Sequence, residues 1–360
     1  MQSFWDTLPK PFFCLAPLAN VTDPAFRRII AKYSKPDTAL RSLGEEVELP
    51  FVMYTEFVSA DGLALAPESG RQKLLRDLVF SEAERPIVAQ FFTSTPTHME
   101  KAAALAADLG FDGVDINMGC PDRVVEKQGA GAKLILKPQL AQELVASAKR
   151  GAPNLPVSIK TRLGYNKDVL DEWLPALIAA KPAAIVMHAR TRKEMSKVPA
   201  HWERVKRAVE IRDEINSKTL IIGNGEVADL DDARAKAKET GADGIMLGRA
   251  IFGRPWLFSG ASRAVLEPIT RFARGSVSST ARDAPEREPF SEPGFRLRVL
   301  VEHTKLFEEL LGDIKSFAIM KKHFKSYADG FPGAKELRME LMAANNAKEV
   351  EGVVDQFLKA

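Results

Sequence analysis

Two cysteines occur in the 360-residue chain, and one of them stands in a setting unlike a core position. Cys120 falls in the run Asp115-Ile-Asn117-Met-Gly119-Cys120-Pro121, just past an apolar stretch that reads as a β-strand. A buried free thiol behaves as a small hydrophobe. In a Gly-Cys-Pro turn at a strand end it is placed instead to act as a nucleophile or proton donor. Cys14 lies inside a predicted strand and reads as core. Lys160 ends the run PVSIK (156–160), and a lysine among apolar neighbours is costly to bury unless an anion meets it. A flavin ring gaining negative charge, or a phosphate, would serve; so would the carboxylate of Glu56 or Asp115. His188 ends another apolar run. Alone it would read as a core histidine, but its level beside Lys160 and Cys120 makes it a candidate.

Two further strand ends are glycine-rich, Gly223-Asn224-Gly225 and Gly248-Arg249. Glycines let backbone N–H groups come close to a phosphate, and Arg249 can add a charge-assisted contact. Together these residues describe a ligand with a phosphate tail and a ring over a central site. FMN has that shape, and so does a phosphorylated sugar. The chain lacks His-Glu-x-x-His, Cys-x-x-Cys and similar ligand spacings, so no metal is expected.

Positioning such residues on one rim requires parallel strands. Eight apolar runs qualify: 12–17, 51–57, 86–92, 113–119, 156–160, 183–189, 219–225 and 244–248. Most are continuous rather than alternating, as in strands covered by helices on their outer face. Helical stretches lie between them, for example 96–109, 138–149, 200–215 and 230–240. Some carry start signals, such as Pro96 and Asp229. The pattern predicts an α/β fold, a (βα)8 TIM barrel, whose chemistry belongs at the C-terminal strand ends. A doubly wound dinucleotide fold would place its glycine fingerprint at the first βα turn, which here reads PLANVTD. The nearest match, Gly223 to Ala228, follows the seventh strand.

A barrel needs about 250 residues, so a second unit is expected. Residues 1–268 are assigned to the barrel and 269–294, rich in Ser, Pro, Arg and Glu, to a linker or mobile loop. Residues 295–360 are assigned to a small all-α bundle, with Leu297, Leu300, Phe307 and Leu311 at helical spacing. The net charge is +3 and the apolar fraction 45%, ordinary for a globular chain. Two cysteines and no long apolar stretch predict an intracellular, cytoplasmic protein that does not span a membrane. Lys315, Lys321, Lys322, His323 and Lys325 form a candidate basic stripe, although eleven basic and eleven acidic residues cancel over 291–360.

The motifs, taken in order, resemble those of the tRNA-dihydrouridine synthases. The segments are APLANVTDPAFRR (16–28), YTEFVSADGL (54–63), DINMGCPDRVVEKQGAGAKLI (115–135), SIKTR (158–162), HARTR (188–192), GNGEV (223–227), GADGIMLGRAIFGRPWLF (241–258) and IMKKHFKSYADGFPGAKELR (319–338). The resemblance implies bound FMN lined by Pro17, Leu18 and Ala19, with Gln90 and Lys160 bonded to its ring and His188 beside it. Asn224, Gly225, Glu226, Gly248 and Arg249 would hold the ribityl phosphate. Asn117 and Arg162 would contact the target base, and Cys120 would be the proton donor. The implied reaction uses NADPH, or NADH, to reduce FMN. Hydride then passes from flavin N5 to C6 of a specific uridine in tRNA, and Cys120 protonates C5. Such a uridine must leave its stack to be reached. The sequence departs from the family pattern at Leu18, at Asn20, at Arg254 and in KEMSKVPAHW after HARTR, where an aromatic and a glycine are common. Two rival readings are an FMN barrel acting on a free pyrimidine, like the dihydroorotate dehydrogenases, and an RNA-binding protein on a decayed barrel. The first would not need residues 291–360; the intact Cys120, Lys160 and His188 argue against the second.

Overall fold

A computed structural model describes residues 3–35, 51–262 and 292–359. Every one of the eight apolar runs contributes a strand. They are β1 (Phe12–Leu15), β2 (Met53–Tyr54), β3 (Val58–Ser59), β4 (Ile87–Phe92), β5 (Gly113–Met118), β6 (Val157–Arg162), β7 (Ala184–His188), β8 (Leu220–Asn224) and β9 (Gly244–Leu247). All pairings are parallel, along the path β2-β4-β5-β6-β7-β8-β9-β1. A bridge between Cys14 and Val52 completes the ring, with Leu15 N donating to Val52 O at 2.9 Å and Val52 N to Phe13 O at 3.0 Å. The expected α/β barrel is the fold the chain adopts.

The second position departs from one continuous strand over 51–57. Met53 pairs with Ile87 and Tyr54 with Val88, but Val58 pairs with Phe91, so one extra residue enters between β2 and β3. Thr55 explains the break. Its hydroxyl, not a carbonyl, accepts the Gln90 N–H at 3.0 Å and donates to Glu56 O at 2.8 Å. An extra residue of this kind bends a strand and is common near active sites.

Side chains alternate across each strand, which sorts the barrel interior into levels. Phe12, Cys14, Val52, Tyr54, Val88, Ala184, Val186, Ile222 and Met246 pack into one apolar cluster with Trp5 and Leu8. Two residues further along the strands the inward positions turn polar: Gln90, Asn117, Lys160, His188 and Asn224. A direct bond from Lys160 on β6 to Asn224 on β8, passing over β7, places both in the interior. Helices clothe the outside, among them Pro96–Asp108, Pro138–Gly151, Trp202–Glu214 and Leu230–Thr240. Asp229 caps the last through Asp232 N at 2.9 Å. At Thr95 the side chain makes no capping bond, and Pro96 supplies the start signal alone.

The chain divides into two compact units, 1–24 with 49–250, and 25–48 with 251–360. The first is the barrel. The second contains the helices Pro293–Leu311, Lys321–Tyr327, Ala334–Ala343 and Ala347–Lys359 together with 25–34 of the helix Pro24–Ser34. Within it Tyr33 donates to Glu302 at 2.6 Å and Ser34 to Pro255 O at 2.6 Å. Of the segment 269–294 expected as a linker, residues 269–291 lie outside the described ones. His323, read from sequence as part of a basic surface stripe, is fully buried. It lies in a ring cluster with Phe26, Phe252 and His303, at centroid distances of 4.8, 5.6 and 4.7 Å. Its helix turns Lys322 and Lys325 outward and this face inward. No described helix is long and apolar enough to cross a membrane.

Candidate active site

Cys120 follows β5 in a turn fixed from three sides. Its backbone N–H and that of Gly119 donate to Asn117 Oδ1 at 2.9 and 3.2 Å. Its carbonyl accepts from Ala132 N at 2.9 Å. Asp122 caps the short helix Arg123–Lys127 that follows, accepting from Val124 N at 2.8 Å. The thiol is part-buried, and burial pushes its pKa up, with the Asp122 carboxylate adding to the shift. A backbone bond from Asp122 and the charges of Arg162 and Lys160 pull the other way without prevailing. Cys120 therefore stays protonated at neutral pH, the state a proton donor needs.

Gly131 closes over this turn in the left-handed region, at φ +61°. A Cβ there would sit 2.7 Å from Cys120 O and 2.8 Å from Val125 Cγ1. Gly131→Ala is expected to destabilise the barrel by about 1–3 kcal/mol from the backbone strain alone, read as a lower urea midpoint. An unchanged midpoint would mean the turn relaxes freely.

Lys160 is part-buried and donates to Asn224 Oδ1 at 3.0 Å. No carboxylate of the described residues forms an ion pair with it. Of the partners considered from sequence, Asp115 is taken up by Gln90 Nε2 at 2.6 Å and Ser158 Oγ at 2.5 Å, and Glu56 accepts from Asn20 N. Burial, followed by the repulsion of Arg162, lowers Lys160 to about 8 despite the attraction of Asp115. Asn20 reaches Glu56 from a left-handed backbone, φ 53°, a conformation that asparagine tolerates better than most residues.

His188 stands beside Arg162 and Asn224 in the strand register. Burial first, then the charges of Lys160, Arg162, Arg190 and Arg249, hold it neutral, well below the usual histidine range. Arg190 Nη1 approaches His188 Nε2 at 3.3 Å, which makes Nε2 the acceptor and leaves the proton on Nδ1. Arg162 donates through Nε to Gly119 O at 2.8 Å and through Nη1 to Thr191 O and Met195 O at 3.1 Å each. Its Nη2 has no partner among the described residues. Arg190, almost fully buried, also meets Glu226 at 2.7 Å, and Glu226 meets the exposed Arg249 at 3.2 Å. Four cations thus act on His188, and the Glu226 carboxylate pairs with two of them, Arg190 and Arg249.

The glycines have two different reasons. At Gly223 a Cβ would come 2.7 Å from the Trp202 ring, and at Gly225 2.8 Å from Ala200 Cβ, so packing already demands both. At Gly248 the nearest atoms would be Ala16 Cβ at 3.7 Å and Leu18 Cδ2 at 4.0 Å, ordinary contacts, so packing does not explain that glycine. The same contacts bring the turn bearing Pro17, Leu18 and Ala19 next to Gly248. Pro17 is buried, Leu18 half-buried and Ala19 exposed.

Several site residues escaped the sequence reading. Arg190 and the pair Arg192–Glu126, which ties the loop after β7 to the helix after Cys120, were not singled out as site residues. Ser158 lies two residues before Lys160, so strand alternation could have placed it inward; Asp115, weighed from sequence only as a partner for Lys160, likewise lies two residues before Asn117. A groove of about 570 Å³ on the loops after β6 and β7, lined by Lys167, Thr191, Lys193, His201 and Arg204, is separate from this ring; Cys120, Lys160 and His188 do not line it.

With this geometry in place, the comparisons are specific. Residues 14–360 match the family model described as dihydrouridine synthase. A relative in Staphylococcus aureus (strain COL), named "Probable tRNA-dihydrouridine synthase", is 36% identical over 359 residues, covering 99% of this chain and 96% of the relative. Another in Bacillus subtilis (strain 168), "Probable tRNA-dihydrouridine synthase 2", is 35% identical over 99% of this chain and 97% of its own length. Among solved structures, histamine dehydrogenase from Rhizobium sp. 4-9 superposes with a TM-score of 0.50 at 14% identity, over 71% of this chain and 46% of that one, a likeness of fold alone. Full-length similarity to curated relatives and a family match beginning within the first strand agree with the ordered motifs: the chain belongs to the dihydrouridine synthase family.

Proposed function

We propose that the protein is an FMN-dependent tRNA-dihydrouridine synthase that uses NADPH, or NADH, to reduce a uridine of tRNA in the cytoplasm. The observation that carries this reading is a part-buried ammonium with no ion-paired carboxylate among the described residues, Lys160, facing the same barrel mouth as a thiol kept protonated, Cys120. An electron-rich ring fits the first and an acceptor carbon the second. A phosphate fits the end of β9, where Gly248 offers backbone that packing does not require and Arg249 adds charge.

When bound, reduced FMN supplies the hydride that goes to C6 of uracil. The remaining work falls to side chains. Lys160 and Gln90 bind the ring and offset its negative charge. The free Nη2 of Arg162 and the Asn117 amide hold the base, and Cys120 delivers its proton to C5. His188, neutral and fixed by Arg190, adds no charge beside the ring. Pro17, Leu18 and Ala19 cover one side of the ring, and Asn224, Gly225 and Glu226 frame the phosphate end. The tRNA is held in addition by the second unit, the proposed tRNA-binding domain, and its target uridine is extruded into the barrel mouth.

Lys160→Met removes a charge-assisted contact worth about 1.5–3 kcal/mol, so titration of the apoprotein with FMN should give an affinity lower by about 10- to 100-fold. The unmutated apoprotein should bind FMN more weakly as pH rises through about 8, where Lys160 loses its proton. An affinity unaffected by either change would remove Lys160 from the cofactor site. The function itself is tested with purified protein, NADPH and either unmodified tRNA or free uridine and orotate. Mass spectrometry of the digested tRNA should find dihydrouridine, with the free pyrimidines unchanged. Turnover of a free pyrimidine alone would overturn the tRNA assignment.

A further inference from the structure

Asp115 is a fully buried carboxylate that none of the steps above uses. It lies on β5 two residues before Asn117, at the base of a continuous hydrogen-bond chain. Its Oδ1 accepts from Ser158 Oγ at 2.5 Å and its Oδ2 from Gln90 Nε2 at 2.6 Å. Gln90 Oε1 accepts from Asn117 Nδ2 at 3.0 Å. Asn117 Oδ1 accepts the backbone N–H groups of Gly119 and Cys120 at 3.2 and 2.9 Å. Gln90 and Asn117 are amides, and an amide can present either end to its neighbour. An ionised carboxylate only accepts. Asp115 at the base calls for the Gln90 NH₂, and the backbone N–H groups at the top, which only donate, call for the Asn117 oxygen, so both ends agree on one direction for the two amides.

We propose that Asp115 is a positioning residue: it anchors the base of this chain, holding Gln90, through it Asn117, and so the Cys120 turn in place. Burial raises its carboxyl to about 6, against the bonds of Ser158 and Gln90 and the charge of Lys160, so it is ionised at neutral pH and remains an acceptor. Its consequence for catalysis rests on the proposed function; the chain of bonds does not.

Substitutions separate direction from bulk. In Asp115→Asn the oxygen can face Gln90 while the NH₂ faces Ser158, whose hydroxyl can accept as well as donate, so the chain keeps its direction. Asp115→Leu leaves Gln90 Nε2 without its acceptor. The readout is alkylation of Cys120 by iodoacetamide in the full-length protein, followed by mass spectrometry, with fully buried Cys14 as the internal control. Asp115→Leu is expected to speed alkylation by about tenfold as the turn loosens, and Asp115→Asn to stay within about twofold of the unmutated protein. Asn117→Ala should match Asp115→Leu, and the double variant should be no faster than either alone, since both break one chain. Should Asp115→Leu fail to fold, Gln90→Leu breaks the next link and must give the same acceleration.

In the tRNA assay Asp115→Leu should lower kcat with KM for tRNA little changed. A folded Asp115→Leu or Gln90→Leu protein with the unmutated alkylation rate would overturn the proposal, as would Asp115→Asn reacting as fast as Asp115→Leu. An unmutated protein that forms no dihydrouridine but follows the predicted alkylation pattern would refute the functional reading and leave the chain standing.

Discussion

Replacing Cys120 by alanine is expected to slow dihydrouridine formation by about 10²- to 10⁴-fold while flavin content and flavin reduction by NADPH stay near those of the unmutated protein. Burial and the Asp122 carboxylate keep the proton on sulfur, which is poor design for a nucleophile and good design for an acid. In the proposed reaction, hydride arriving at C6 would leave negative charge that C5 discharges by taking a proton. Water can supply it only slowly in an enclosed site. In the proposed arrangement Lys160 and Gln90 bind the flavin without help from Cys120, so the half-reaction that reduces it should be untouched. The unmutated rate of tRNA reduction should be flat below the thiol's raised pKa and fall above it, because the protonated form is the active one. Rapid mixing of reduced protein with tRNA separates the two half-reactions. An alanine variant that reduces tRNA at the unmutated rate would place the proton donor elsewhere.

The second large effect is expected in the helical unit, where acid should unfold the protein through His303 and His323. Both rings are fully buried, their centroids 4.7 Å apart, and all four ring nitrogens lack a hydrogen-bond partner among the described residues. Phe26 stacks on His303 at 4.8 Å, and Tyr327 lies 6.2 Å from it. Burial first, then the neighbouring His323, puts His303 well below the usual histidine range; burial, then Lys322, puts His323 at about 3. Both are therefore neutral in the fold, whereas an unfolded histidine takes up a proton at about pH 6.5. Stability is full above that pH and declines as pH falls below it, until the folded rings themselves protonate. At pH 5 the loss is about 2 kcal/mol for each histidine, from about 1.4 kcal/mol per pH unit. Urea midpoints between pH 7 and 4 should show this decline, and His323→Leu should roughly halve it. A variant with the unmutated pH dependence would mean that carboxylates, not these rings, govern acid unfolding.

The barrel was legible because covered parallel strands leave a plain mark, continuous apolar runs of strand length separated by helical ones. Its one irregularity was not. The step between Tyr54 and Val58 depends on the Thr55 hydroxyl replacing a carbonyl in the ladder, and a threonine in an apolar run looks like any strand residue. Cys120, Lys160 and His188 stood out as polar residues ending apolar strands, and the barrel brings them to one mouth with Gln90, Asn117, Arg162 and Asn224. Arg249 stands at the rim with Glu226 rather than in the interior. Asp115 was harder to read, since its meaning lies in Gln90 and Ser158, 25 and 43 residues away in sequence. His323 misled for a related reason. Lysines surround it in sequence, but its helix turns that one position inward onto Phe26 and His303.

The most direct test of the central claim is a single turnover without oxygen. The purified protein is reduced with NADPH, freed of excess nucleotide and mixed with an equal amount of unmodified tRNA. Flavin absorbance and the dihydrouridine content of the digested tRNA are followed together. Reoxidation of the flavin should occur only when tRNA is added, with dihydrouridine appearing at the same rate and in equal amount. A flavin that stays reduced in the presence of folded, unmodified tRNA, or that is reoxidised without dihydrouridine being formed, would contradict it.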